Sequence, residues 1–335
     1  MGTYHLKIGY KVMKNKILVV YNTCGIRNNN PEWYIECIQS ILEQSIDRDD
    51  CRILWSSCLN SAECFEKVYS VFRDKISYCL HSHPHTVNVT FNKAIQEAVN
   101  HYGNFEYYLY VDSGVTFGKQ KYLLEKIYQT CKEQDVGMLT VQTDTDEALN
   151  SIDSSKYVYQ SPSPQIIGEH CIVPVGKACN VHAHIYSDEL YNLYNSKVVP
   201  DVFAAYCTES TFSFLTAAAQ QRWIIMKDEQ VVHKKGVDGA SVCSPHQSVN
   251  YNNPWNNLLC DRNALDFIND KQAHEAGLGY EECNDIMNHD PDAYNSTGSS
   301  KYPDKLAQMI NKYFFLSQDE LDYDQMKIKF IAQKS

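Results

Sequence analysis

A continuous apolar run, Ile17-Leu-Val-Val-Tyr21, interrupts a weakly patterned start, and a run of that length suits a strand buried on both faces. The polar stretch Asn22-Thr23-Cys24-Gly25 follows as a loop. Asn30 is placed to cap a helix with Pro31 in its first turn, and Ile35, Ile38, Ile41, Leu42 and Ile46 then recur at helical spacing. The unit repeats: residues 51–55 predict a second strand, 56–61 a polar loop, and 62–72 a helix with Phe65, Val68 and Phe72 on one face. Phe91, Ala94, Ile95, Ala98 and Val99 mark a third helix, followed by a strand over 107–111, a helix from about 122 to 131 and a strand over 136–142. Strands and helices in alternation specify an α/β domain with parallel strands joined by crossovers, and such domains bind ligands outside the carboxyl ends of the strands. Asn22, Ser56 and Asp112 are thereby expected on one rim.

The later pattern is less regular. Residues 144–168 are rich in Ser, Asp and Pro and predict a long excursion over that rim. Residues 201–219 open with polar, turn-like positions and become an apolar helix, followed by short strands at 223–226 and 231–233. From 244 to 300 the chain is rich in Asn, Asp, His and Tyr, and Leu306, Met309, Ile310, Tyr313 and Phe314 then outline an amphipathic helix starting near Pro303-Asp304. This divides the chain into an extension (1–16), a core (17–243, with halves meeting at 143/144) and a C-terminal, mostly helical appendage (244–335).

Composition narrows the function. In 335 residues, hydrophobic positions are 44% and charged ones 21%, which excludes a disordered or coiled-coil chain. Lys+Arg 30 against Asp+Glu 41 gives a net charge of −11, which disfavours nucleic acid and anionic membrane as partners. The longest apolar run falls far short of the roughly 20 residues of a membrane span, so no integral membrane contact is expected. The 13 cysteines include no C-x-x-C pair, as in a reduced protein with buried, idle thiols rather than a disulfide scaffold or structural zinc site. A soluble, cytoplasmic protein is the expectation; oligomeric state is open. His81, His83 and His85 alternate around Pro84 and are expected in a solvated loop.

Several segments, in order, resemble one family. Ile17-Leu-Val-Val-Tyr-Asn22, with Glu36-Cys-Ile-Gln-Ser-Ile-Leu-Glu-Gln44, resembles the opening strand and first helix of GT-A glycosyltransferases of the broad family 2 type, including their Ser-x-x-x-Gln pattern. Asn88-Val-Thr-Phe-Asn92-Lys-Ala94 is similar to their nucleotide-binding segment, and Tyr108-Leu-Tyr-Val-Asp112-Ser-Gly114 to the strand that delivers the metal-binding D-x-D motif. Cys207-Thr-Glu209-Ser-Thr-Phe resembles the acceptor-side segment that supplies the base. Val232-His233-Lys-Lys-Gly236-Val-Asp238-Gly239 resembles a late metal-binding histidine with its Gly-rich loop. The likeness spans residues 17–241.

The resemblance implies a GT-A (Rossmann-like) α/β fold: a mixed, mostly parallel sheet flanked by helices, with the C-terminal helical appendage outside it. It implies a nucleotide-diphospho-sugar donor, a carbohydrate acceptor, and Mn2+ or Mg2+ to neutralise the diphosphate leaving group. Asp112 is the first metal ligand, but Gly114 replaces the second acid of D-x-D, leaving His233 as the further candidate. Glu209, with Asp201 in reserve, would take the acceptor proton and give an inverted product. Tyr21, Asn22, Ser57, Asn92, Asp112 and Ser113 are the candidates for binding the nucleotide sugar. His182 and His184 alternate between the donor and acceptor segments as candidate lining of the sugar pocket. The rival reading, kept open by Gly114, is a catalytically degenerate nucleotide- or glycan-binding module. A dehydrogenase is disfavoured, since no G-x-G-x-x-G follows the first strand.

Overall fold

The structure, a computed structural model, describes residues 15–25, 29–46, 50–82, 87–134, 136–144, 182–200, 215–233 and 328–333. Short pieces at 158–159, 165–167, 170–172, 178–179, 212, 304, 307–308, 310–311 and 315 are also described. The chain opens with β1 (Asn15–Cys24), α1 (Pro31–Leu42), β2 (Cys51–Cys58), α2 (Ala62–Phe72), β3 (Ser77–His81), α3 (Val87–Tyr102) and β4 (Phe105–Val111). Then come β5 (Val115–Thr116), α4 (Leu123–Gln134), β6 (Val136–Asp144), β7 (Val158–Tyr159), β8 (Gln165–Ile167), β9 (His170–Ile172), β10 (Ala178–Cys179), β11 (Ala183–Ser187) and α5 (Asp188–Leu193). The last two strands are β12 (Arg222–His233) and β13 (Ile328–Ile331).

The main sheet runs in the order β13-β3-β2-β1-β4-β11-β6-β12-β9-β8, with β5 on β12; β7 and β10 form a separate pair. β3, β2, β1 and β4 are parallel, as are β6 and β12, while β11 lies between β4 and β6 antiparallel to both. The sheet is therefore mixed and mostly parallel among its long strands, as expected. One face packs on α3, α5 and the helical residues around 215–218 through Leu18, Val20, Tyr108, Tyr110, Met138 and Trp223. The other packs on α1, α2 and α4 through Val19, Tyr21, Trp55, Leu109 and Leu139. Strands covered on both faces must be apolar at every position, which explains the uninterrupted runs.

Local chemistry accounts for the boundaries. Asn30 caps α1, its side chain accepting from the N–H groups of Glu32 and Trp33, and Ser61 caps α2 through the Cys64 N–H. Ser40 and Gln44, the matched Ser-x-x-x-Gln pair, tie α1 to the chain between β5 and α4. The Ser40 hydroxyl accepts from the Phe117 N–H at 3.1 Å, and the Gln44 side-chain oxygen accepts from the Leu123 N–H at 3.0 Å. Gln44 thus supplies a partner for the amino end of α4 from the turn that follows α1.

Several expectations change. β2 continues through Cys58 instead of stopping at Trp55, because its register with β1 carries on as Asn22↔Ser56, Thr23↔Ser57 and Cys24↔Cys58. β3 was not legible in the pattern, and His81, expected in a solvated loop, closes it. Its side chain is buried with Nε2 3.2 Å from the Ser56 hydroxyl. His83 and His85 lie outside the described residues. The strands expected at 223–226 and 231–233 are one, β12, with an irregularity between Met226 and Gln230. In the C-terminal region Ala307, Ile310 and Phe315 enter the core, and Phe315 stacks on Tyr194 at 5.4 Å. That region is not helical throughout, because β13 joins β3 as an antiparallel edge strand. Cys24, Cys37, Cys51, Cys58, Cys64, Cys79 and Cys131 are all buried as thiols, outside any disulfide. Among the described residues, no helix is long and apolar enough to cross a membrane.

Candidate metal centre

The strand order reverses direction at β1, with β2 and β3 on one side and β4 on the other. Open α/β sheets bind ligands outside the carboxyl ends of the strands at such a switch point. Asp112 follows β4 directly at this place. Its carbonyl accepts from the Val115 N–H at 3.1 Å, closing a tight turn over residues 112–115. Gly114, the third residue of that turn, has φ +87°, as a turn of this form requires. A Cβ there would also stand 3.0 Å from the Trp33 ring.

The turn leads into β5, which pairs with the end of β12 so that His233 faces Val115. From the other side, β11 runs antiparallel to β4 with Ala183 opposite Val111, which places His182 beside Asp112. The Asp112 N–H donates to the His182 carbonyl at 2.8 Å. Two strand pairings thus deliver Asp112, His182 and His233 to one point, where their ligand atoms all lie within 4.8 Å of one another. His182 Nδ1 is 3.3 Å from Asp112 Oδ2, and the two imidazoles stack at 4.3 Å and 12°. The other carboxylate oxygen accepts from the Ser113 N–H at 2.8 Å and the Tyr110 hydroxyl at 3.2 Å. Burial works against the Asp112 charge, yet the hydrogen bond and charge of His182, the charge of His233 and the Ser113 N–H hold its carboxyl below the usual value.

Beneath the cluster, His184 is buried and stacks on Tyr110 at 4.6 Å and 16°, bracing the ring whose hydroxyl orients Asp112. Burial pushes the His184 imidazole down to about 3, so it is neutral near pH 7. One carboxylate and two imidazoles within reach of one point make a donor set that fits a divalent metal ion.

The structure brings Asp112 and His233 together as the sequence suggested, and adds His182. The other expected donor residues are placed as follows. Tyr21 is fully buried, its ring edge-on to Tyr34, and its hydroxyl accepts from the Gly114 N–H at 3.4 Å, so it supports the turn from below. Asn22 donates to the Val87 carbonyl at 3.0 Å and accepts from the Thr90 hydroxyl at 3.3 Å, fixing the start of α3 against β1. The Ser57 hydroxyl donates to Asn60 at 2.7 Å in the loop after β2. Ser113 contributes its backbone N–H to Asp112. Asn92 clamps the chain after α5: its amide donates to the Val199 carbonyl at 2.8 Å, and its oxygen accepts from the N–H groups of Val198 and Val199 at 3.1 and 3.3 Å. Asn92→Ala would leave these buried backbone groups unsatisfied, and urea unfolding is expected to show a loss of about 3 kcal/mol. A change near zero would mean that other contacts hold the segment. Glu209, Asp201 and the Gly-rich stretch after His233 lie outside the described residues.

This arrangement of strands is the GT-A, Rossmann-like fold of nucleotide-sugar transferases. Among solved structures, S. aureus TarS 1-349 in complex with UDP-GlcNAc is similar with a TM-score of 0.50 and 14% identity, over 81% of this chain and 70% of that one. The mannosyltransferase PcManGT from Pyrobaculum calidifontis, in complex with GDP-Man and Mn2+, gives 0.47 and 12% identity over 89% and 86%. A further S. aureus TarS crystal structure gives 0.47 and 15% identity; 65% of this chain is covered, and the chain spans 36% of that one. No protein-family model and no curated protein matches the sequence.

Proposed function

We propose that this chain is a glycosyltransferase that moves a sugar from a nucleotide-diphosphate donor to a hydroxyl of a glycan or similar acceptor. The observation that carries the reading is the Asp112-His182-His233 cluster at the switch point of a GT-A sheet. A divalent ion held there would neutralise the charge that develops on the departing diphosphate. The two imidazoles favour Mn2+ over Mg2+, which takes oxygen ligands. The rival reading of a degenerate binding module rested on the missing second acid, and His182 offers a ligand in its stead.

In this reading the chain's own groups act as follows. Tyr110 and the Ser113 N–H hold the Asp112 carboxylate in one orientation. The Glu209 carboxylate, with Asp201 in reserve, takes the acceptor O–H proton while the acceptor oxygen bonds to the anomeric carbon. The bond from that carbon to the diphosphate oxygen breaks on the opposite face, and the product is inverted. The neighbours named above were solved with UDP-GlcNAc and with GDP-Man, which makes these two nucleotide sugars the first to test.

A thermal-shift panel of UDP, GDP, UDP-GlcNAc and GDP-Man, each with and without Mn2+, tests binding. A ligand at 100 times its Kd adds about 2.7 kcal/mol, so a manganese-dependent rise of several degrees is expected with one nucleotide series. In a nucleotide-release assay, Glu209→Gln is expected to slow turnover about 100-fold or more while retaining that rise. Equal turnover in wild type and variant would remove Glu209 as the base. Absence of any shift would sink the donor site.

A further inference from the structure

Gln142, near the carboxyl end of β6, has an unusual burden. It is 1% exposed, yet neither the oxygen nor the nitrogen of its side-chain amide has a hydrogen-bond partner. His184 Nδ1 is buried and unpartnered as well. His184 pairs in register with Thr140, two residues before Gln142, and alternation along a strand puts Thr140 and Gln142 on the same face. His182 and His184 share their face by the same rule. The unpartnered amide and imidazole therefore lie on the side of the sheet that carries the metal cluster. Buried polar groups are nearly always satisfied, and exceptions call for an explanation.

The strand order supplies one. Across the rim it runs β1, β4, β11, β6. If the nucleotide lies over β1 and β4, and its diphosphate at Asp112 and His182, the next group along the donor falls over β6. That group is the sugar. We propose that Gln142, with His184 beside it, receives hydroxyls of the transferred sugar, and that it is the residue of this chain that distinguishes the donor sugar from a bare nucleoside diphosphate. This rests on the function proposed above and names its sugar contact. An amide offers donors and an acceptor together, which matches neighbouring hydroxyls that each donate and accept; it carries no charge with which to hold a carboxylate or phosphate. The chemistry selects a neutral, polyhydroxylated sugar. No existing hydrogen bond of the amide is broken when a hydroxyl engages it.

The test is titration calorimetry with Mn2+ and four probes, UDP, UDP-GlcNAc, GDP and GDP-Man, on wild type and Gln142→Met. Wild type is expected to bind one nucleotide sugar more tightly than its nucleoside diphosphate. The variant should bind the nucleoside diphosphate as wild type does and the nucleotide sugar roughly 10–100-fold more weakly. Its Tm should rise by about 1–4 °C, since an unpartnered buried amide is replaced by an apolar chain of similar size. Equal weakening of both ligands, no weakening, or a fall in Tm would overturn the assignment, because the amide would then be doing structural duty or none. Wild type binding none of the four probes would instead defeat the parent reading, and this one with it, before the variant is measured.

Discussion

His182→Ala is expected to reduce manganese affinity at least about 100-fold, and with it donor binding, while leaving the fold in place. Losing even a group that orients a metal ligand typically lowers metal affinity 10–100-fold, and His182 is itself one of three candidate ligands. The fold should survive because β11 is held through the backbone: the His182 carbonyl, not its ring, accepts from the Asp112 N–H. The imidazole is partly exposed, with 27% of the side chain accessible, so truncation opens no core cavity. His182→Asp makes a sharper version of the experiment. It restores a hard oxygen donor next to Asp112, and metal binding should partly return with the preference moved from Mn2+ toward Mg2+. Calorimetric titration with each ion, alongside a thermal melt without metal, reads both effects. Unchanged manganese affinity in His182→Ala, with an unchanged melt, would place the metal away from this cluster.

His182 also marks the limit of what the sequence carried. β1, β2, β4 and β6, with α1 to α4, are legible because a strand covered on both faces is apolar throughout and each helix shows its buried stripe. Asp112 is legible because it ends such a strand. β11 is written as Ala183-His-Ile-Tyr-Ser187, a mixture that shows no period, since its His184 is buried against Tyr110 rather than solvated. Without β11 nothing in the sequence says that His182 lies across from Asp112, because that proximity comes from a non-local antiparallel pairing. The available signal was the alternation of His182 and His184 just before an apolar pair. His81 reads as a loop residue for a related reason: the hydroxyl that makes its burial tolerable, Ser56, sits on another strand. β5 is two residues long, too short to leave a pattern, yet its pairing sets His233 against the turn.

Gly114 reads as a defect in the sequence and as a requirement in the structure, and the two views predict opposite results for Gly114→Asp. If the glycine were simply a lost metal ligand, restoring the acid would strengthen metal binding. The backbone there has φ +87°, which L-residues adopt only with strain of about 1–3 kcal/mol, and an added Cβ would press on the Trp33 ring at 3.0 Å. The expected outcome is a Tm lower by about 1–4 °C and weaker, not tighter, manganese binding. The second effect follows from the first: the 112–115 turn leads into β5, β5 pairs with β12, and that pairing positions His233. A turn that shifts to admit a side chain moves two of the three ligands apart. The steric and conformational parts separate in a double-mutant cycle of Gly114→Ala with Trp33→Leu. Removing the indole should recover the share of the loss due to contact and leave the share due to φ, so Gly114→Ala is expected to cost less in the Trp33→Leu background than in wild type, without falling to zero. A Gly114→Asp protein that melts with wild type and binds Mn2+ more tightly would show that the turn tolerates a side chain, and that His182 stands in a site still missing its acid.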